Sequence, residues 1–212
     1  AVCDINDLAL QTNLSLPLAQ VLLSRGFDTK EKVLSFIFPQ VLLNKDDYLL
    51  MAGAAVAIDR INKALKSKER ILVFGDYDVD GMTSTSIAVL ALSLLGANVN
   101  YYLPNREKDG YGLTTKIVRL AALNGYSLVI TVDNGTTSLE AAALAKSLGV
   151  DLIVTDHHQP KGELPDVLAL VNPHQTDCKY PYKYFCGAGV IFKLMSFLYL
   201  QHDKVLPEKV YE

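Results

Sequence analysis

The chain predicts an α/β fold: a doubly wound, mainly parallel five-stranded sheet flanked by helices, behind an N-terminal helical extension. Three observations support this. From Met51 onward, short apolar runs alternate with segments of helical period. The runs are apolar almost throughout rather than every second residue, as expected of strands covered by helices on both faces. Three of them end in acids: Asp76-Tyr77-Asp78-Val79-Asp80-Gly81, Asp133-Asn134-Gly135 and Asp156-His157-His158. Ligands of open parallel sheets collect beyond the carboxyl ends of the strands, so these acids lie where a site is expected.

Residues 1–50 read as the helical extension. Ser15 is placed to cap a helix over Leu16–Arg25, with Pro17 tolerated in its first turn and Gly26 ending it. Asp28 is placed to cap another, with Glu31 at capping-box spacing and Pro39 beyond its end. Residues 51–212 then form the main domain. Its first helix is Ala54–Leu65, with Val56, Ile58, Ile61 and Leu65 as the buried stripe. Strand Ile71–Gly75, helix Thr83–Leu95, strand Val99–Leu103 and helix Thr114–Leu123 follow. Next come strand Leu128–Val132, helix Ser138–Leu148, strand Leu152–Thr155 and strand Val167–Val171. A loop rich in Tyr, Lys and Pro leads to a last helix, Ala188–Leu200.

Half of the 212 residues are hydrophobic, which excludes a disordered or fibrous chain. The net charge of −3 offers no global attraction to nucleic acid, but acids awaiting cations inflate that count. Cys3, Cys178 and Cys186 show no CxxC spacing and leave an odd thiol, which fits reduced cysteines and a cytoplasmic location. Ser93, Gly96, Asn98 and Asn100 interrupt the longest apolar stretch, so no membrane partner is expected. The acidic start lacks the apolar segment of a signal peptide. Both ends are abrupt, as if cut from a longer protein.

The acid clusters suggest a metal site. Along an extended exit from the first strand, Asp76, Asp78 and Asp80 face one way, and Gly81 turns the chain into the next helix. Carboxylates are hard oxygen ligands suited to Mg²⁺ or Mn²⁺. A solvated turn capping a helix accounts for one aspartate but hardly three. Asp133-Asn134-Gly135 alone is ordinary turn chemistry; its weight comes from ending an apolar strand, from which Asp133 can bridge two ions. In Asp156-His157-His158, one imidazole can bind metal while Asp156 fixes its tautomer, leaving the other to hold or protonate a phosphate oxygen.

In this order, the three motifs resemble those of the DHH phosphoesterases, and within them the RecJ-type single-strand-specific exonucleases. Pro104-Asn105-Arg106, Gly110-Tyr111-Gly112-Leu113, Asn172-Pro173 and Gly187-Ala188-Gly189-Val190 with Phe192-Lys193 belong to the same pattern. The resemblance spans residues 54–212. It implies Asp78, Asp80, Asp133 and His157 as ligands of two divalent cations, Mn²⁺ or Mg²⁺, with His158 facing the phosphate. Asp76 is implied as a catalytic-site acid, either a ligand or a partner to one. It also implies 5′→3′ hydrolysis of single-stranded DNA in repair and recombination, alongside partners such as a helicase or a single-strand-binding protein.

Arg106, Lys108, Lys116 and Arg119 form the best local basic patch. A solvated helix face explains their spacing; the resemblance makes Arg106 and Tyr111 substrate-contact candidates, one for phosphate and one for base stacking. The family's further metal-binding aspartate, downstream of Gly-Ala-Gly-Val, has no counterpart here. Asp203, Glu208 and Glu212 follow Lys193, none in the expected context, so an N-terminal fragment inactive on its own is one expectation. Other readings are a DHH hydrolase of oligoribonucleotides, cyclic dinucleotides or pyrophosphate, and a DNA-bound scaffold, which predicts eroded ligands.

Overall fold

A computed structural model describes residues 4–38, 46–105, 110 and 112–211. The chain divides into two compact units, Ala1–Leu43 and Asn44–Glu212.

The first unit contains helices α1 (Ile5–Thr12), α2 (Leu16–Ser24) and α3 (Lys30–Ile37). Leu8, Leu22 and Val33, one from each helix, form its buried centre, with Leu14, Leu23, Phe27 and Ile37 packed around them. One capping expectation holds in position only, and another is corrected. Ser15 stands at the N-cap of α2 but makes no side-chain capping bond. Thr29, not Asp28, caps α3 by accepting from the Lys32 amide, while Asp28 pairs with the Lys32 ammonium at 2.6 Å. Helix α1 is an additional element within the expected helical extension; Asp4 caps it by accepting from the Asn6 amide.

The second unit starts with a short 3₁₀ turn, Asp47–Leu50, and helix α4 (Ala54–Lys66). The next elements are β1 (Arg70–Phe74), α5 (Val79–Leu94), β2 (Asn98–Tyr102), α6 (Thr115–Leu123) and β3 (Leu128–Val132). Helix α7 (Leu139–Ser147), β4 (Asp151–Thr155), β5 (Ala169–Val171) and α8 (Gly187–Gln201) complete it, before a 3₁₀ turn at Glu208–Val210. Among the described residues the four strand pairings are all parallel, in the order β2-β1-β3-β4-β5.

Leu72, Phe74, Val129, Leu152 and Val154 point to one face and pack with Ile117, Val118 and Ala121 of α6 and Ala141, Ala142 and Ala145 of α7. The alternate residues Ile71, Val73, Ile130 and Ile153 are fully buried on the opposite side, where α4, α5 and α8 lie. Burying each such side chain stabilises the fold by roughly 1.5–3 kcal/mol relative to exposure. On α4 the buried stripe is Ala54, Ala57, Ile58, Ile61 and Ala64; Val56, expected within it, is exposed. The strand order reverses direction between β1 and β3, which places a crevice for ligands beyond their carboxyl ends. Cys178 is buried and Cys186 exposed, both as free thiols. Among the described residues no helix is long and apolar enough to cross a membrane.

Candidate metal centre

The first acid motif does not continue β1 as an extended strand. The strand ends at Phe74, and α5 starts at Val79 rather than Thr83, with Asp78 as its N-cap accepting from the Gly81 amide at 2.9 Å. Alternation along a strand therefore does not bring the three aspartates together; a short turn and the first turn of a helix do. Asp76 is buried at the strand exit and accepts from the Tyr77 amide at 2.6 Å. Gly81 lies within α5 and does not make the turn. Its reason is close approach, since a Cβ there would sit 2.5 Å from that of Asp76.

Asp80, in the first turn of α5, faces the start of α8. Its Oδ2 accepts from the Gly187 amide and its Oδ1 from the Ala188 amide, both at 2.7 Å. These are the otherwise unsatisfied N–H groups of a helix N-terminus, which favour an anion. The remaining lone pairs of the carboxylate stay available to a cation.

Asp133, directly after β3, takes the left-handed conformation, with φ 63°, which costs a residue other than glycine on the order of 1 kcal/mol. It is 2% exposed. His157, just past β4, brings its Nε2 to 3.1 Å from Asp133 Oδ1 and 3.5 Å from Asp80 Oδ2. Yet that buried Oδ1 accepts no hydrogen bond among the described residues, so the two groups are neighbours rather than a donor–acceptor pair. Burial, then the charges of Asp80, Asp78, Asp156 and Asp76, pushes the Asp133 carboxyl up to about 8. Burial likewise raises Asp76, with the Asp78 charge adding to it and the Tyr77 amide opposing it.

Asp156 is buried at the exit of β4. Burial acts to raise it, but hydrogen bonds from Thr136 and His158 outweigh that and hold its carboxyl below the usual range. Its Oδ1 accepts from the His157 and His158 amides at 2.7 and 3.1 Å and meets His158 Nδ1 at 2.7 Å; its Oδ2 accepts from the Thr136 amide at 3.0 Å. The histidine that Asp156 orients is thus His158, while His157 faces the other acids.

The structure brings Asp80, Asp133, His157 and His158 together. One ligand atom each from Asp133, His157 and His158 lies within 4.8 Å of the others. Asp76 and Asp78 stand close enough to act on the charge of Asp133. Arg106 and Tyr111, the substrate-contact candidates, lie outside the described residues. Three contributors escaped the reading by residue type. Thr136 gives its amide to the Asp156 carboxylate. The fully buried Asn172 donates to Thr136 Oγ1 at 3.1 Å and to the His158 carbonyl at 2.9 Å. The α8 amides carry no side-chain signal; Gly187-Ala188-Gly189 marked the place only through the family pattern.

The donor set fits a hard divalent cation: buried carboxylates with an unsatisfied oxygen, beside imidazoles, in a pocket whose charges repel. Comparison with known proteins agrees with this class. The chain belongs to the DHH family, since residues 70–212 match the model of the DHH family, N-terminal domain. It is 43% identical over 190 residues to the single-stranded-DNA-specific exonuclease RecJ of Bacillus subtilis, covering 90% of this chain and 24% of that protein. It is 38% identical to RecJ of Thermus thermophilus over 172 residues, covering 81% and 24%. The chain thus spans about a quarter of the length of the curated relatives it matches. A crystal structure of Thermus thermophilus RecJ in complex with Mn²⁺ matches with a TM-score of 0.79 at 28% identity, covering 99% of this chain and 29% of that one. A crystal structure of exonuclease RecJ bound to manganese matches with a TM-score of 0.71 at 35% identity, covering 81% and 42%.

Proposed function

We propose that this chain is the metal-binding part of the catalytic core of a single-strand-specific DNA exonuclease that hydrolyses phosphodiester bonds. One observation supports this above the rest: Asp133 presents a buried oxygen without a hydrogen bond among the described residues, 3.1 Å from the His157 imidazole and among four other aspartates. Such an arrangement is unfavourable for the protein alone and favourable around cations.

In this reading Asp78, Asp80, Asp133 and His157 hold two divalent cations, Mn²⁺ or Mg²⁺, and Asp76 supports them from the strand exit. When bound, such a pair polarises a phosphoryl group and lowers the pKa of water. The protein's own part is orientation and proton handling. Asp156 accepts from the His158 Nδ1 and so orients the ring, which in its protonated form also carries a proton on Nε2 that can be given to a phosphate oxygen. Asn172 holds the backbone carbonyl of His158, and the Thr136 amide holds the Asp156 carboxylate. The resemblance to RecJ-type proteins supports 5′→3′ polarity, a cytoplasmic role in DNA repair and recombination, and work beside a helicase or a single-strand-binding protein. It also supports Arg106 and Tyr111 as substrate contacts, and residues 51–212 as the DHH domain behind a helical extension.

Incubating the chain with labelled single-stranded DNA, duplex DNA, single-stranded RNA and pyrophosphate, with Mn²⁺ and with a chelator, tests the proposal. Metal-dependent release of nucleotides from single-stranded DNA supports it. Metal-dependent hydrolysis confined to short oligoribonucleotides or pyrophosphate favours the small-substrate reading instead.

A further inference from the structure

We propose that Asn134 is a positioning residue for the metal centre: its side-chain amide locks the turn that holds Asp133 with its carboxylate toward His157. The inference rests on the metal-binding reading above.

The β1–β3 ladder registers Ile71 with Leu128 and ends at Phe74 with Thr131. Two residues later the backbone leaves the strand conformation, because Asp133 is left-handed. Beyond the ladder, the Asn134 side chain takes over the link between the two strand ends: Nδ2 donates to the Gly75 carbonyl at 3.1 Å. It also donates to the Val132 carbonyl at 2.9 Å, and the Thr131 hydroxyl donates to the Asn134 carbonyl at 2.7 Å. Two hydrogen bonds therefore close around residue 133 from either side, and a third ties the turn to β1.

Asn134 is not occupied with starting a helix, since α7 begins at Leu139 with Ser138 at its cap. It is 1% exposed, so no solvent replaces these bonds if the amide is removed. The left-handed conformation of Asp133 carries a small cost that its surroundings offset: the Thr155 carbonyl accepts from the Asp133 amide at 3.0 Å, and Asn134 closes the turn on either side. Freed from the turn, residue 133 relaxes toward ordinary backbone geometry. Its carboxylate then swings away from His157.

Calorimetric titration with Mn²⁺ tests this on the wild type, Asn134→Leu, Asn134→Ser and Asp133→Asn, each at a temperature where circular dichroism shows the metal-free protein folded. Leucine keeps the volume without a donor. Serine, the milder change, serves if the leucine variant does not fold; its hydroxyl can serve the local turn but is too short to reach Gly75. The proposal expects at least a tenfold loss of Mn²⁺ affinity in the folded Asn134 variants. Affinity within twofold of wild type, whatever happens to the melting midpoint, overturns it and leaves Asn134 a purely structural residue. Absence of Mn²⁺ binding by the wild type, or undiminished binding by Asp133→Asn, overturns the metal-binding reading itself and this inference with it.

Discussion

Asp80 and Gly187, 107 residues apart, are joined by a 2.7 Å hydrogen bond from the Gly187 amide to the Asp80 carboxylate. The bond ties the first turn of α5 to the first turn of α8, and Asp133 packs against the same glycine. A Cβ at position 187 would lie 2.5 Å from Asp133 Oδ1 and 2.6 Å from its Cβ. Gly187→Ala should therefore push α8 away from both acids. We expect a stability loss of roughly 1–3 kcal/mol by thermal or denaturant unfolding, together with weakened Mn²⁺ binding. Unchanged stability and unchanged binding would show that the contact yields freely.

Asp78 combines two roles that one pair of variants separates. As the N-cap of α5 it contributes about 1 kcal/mol, which asparagine retains and alanine does not. As a cation ligand it acts through its charge, which both substitutions remove. Asp78→Asn should fold with near-wild-type stability yet bind Mn²⁺ poorly in calorimetry, whereas Asp78→Ala should lose on both counts. Wild-type Mn²⁺ affinity in the asparagine variant would remove Asp78 from the ligand set.

Asp133→Ala should abolish metal-dependent hydrolysis in any active form of the protein. The fold should persist, because the substitution removes a buried acid surrounded by other acids. Circular dichroism and a single-stranded-DNA assay check this together. Near-normal hydrolysis by the folded variant would contradict the two-cation assignment.

The pH dependence of the metal-free protein follows from the same carboxyl. Its folded pKa, about 8, lies above the unfolded value of 3.8, so the folded state holds a proton that the unfolded state has lost between those values. The associated stability is fully present below pH 3.8, declines between the two values and is gone above about pH 8. The melting midpoint without metal should fall from pH 6 to pH 9, less so in Asp133→Asn, and saturating Mn²⁺ should reverse much of the fall. A midpoint that rises over this range in the wild type but not in Asp133→Asn contradicts the protonated state of Asp133.

Far from the centre, Arg60 joins α4 to the amino ends of the strands, bonding Glu69 at 2.6 Å and Asp151 at 2.5 Å. Arg60 is 8% exposed, whereas the Asp151 side chain is 43% exposed, so water screens part of this network. Arg60→Met should cost roughly 2–3 kcal/mol, below the range for breaking a fully buried pair, and leave Mn²⁺ affinity unchanged. Denaturant unfolding and calorimetry report the two quantities separately. A change in metal affinity would reveal coupling between opposite ends of the sheet.

The sequence by itself determined the alternation of strands and helices, because β1, β3 and β4 are buried on both faces and so need unbroken apolar runs. It also determined which acids and histidines gather, because each motif directly follows such a strand and a parallel sheet delivers all these ends to one edge. What only the tertiary structure decided are relationships between distant or backbone groups. Asp156 serves His158 rather than His157 because of how the chain turns after β4, and adjacent identical residues carry no signal for that choice. Asp78 and Asp80 belong to a helix start because Asp78 satisfies the Gly81 amide, a competition that strand periodicity cannot register. The grip of the α8 amides on Asp80 and that of the Asn134 side chain on the Gly75 carbonyl each pair one side chain with main-chain groups that every residue possesses. Packing decides which main-chain group each side chain meets.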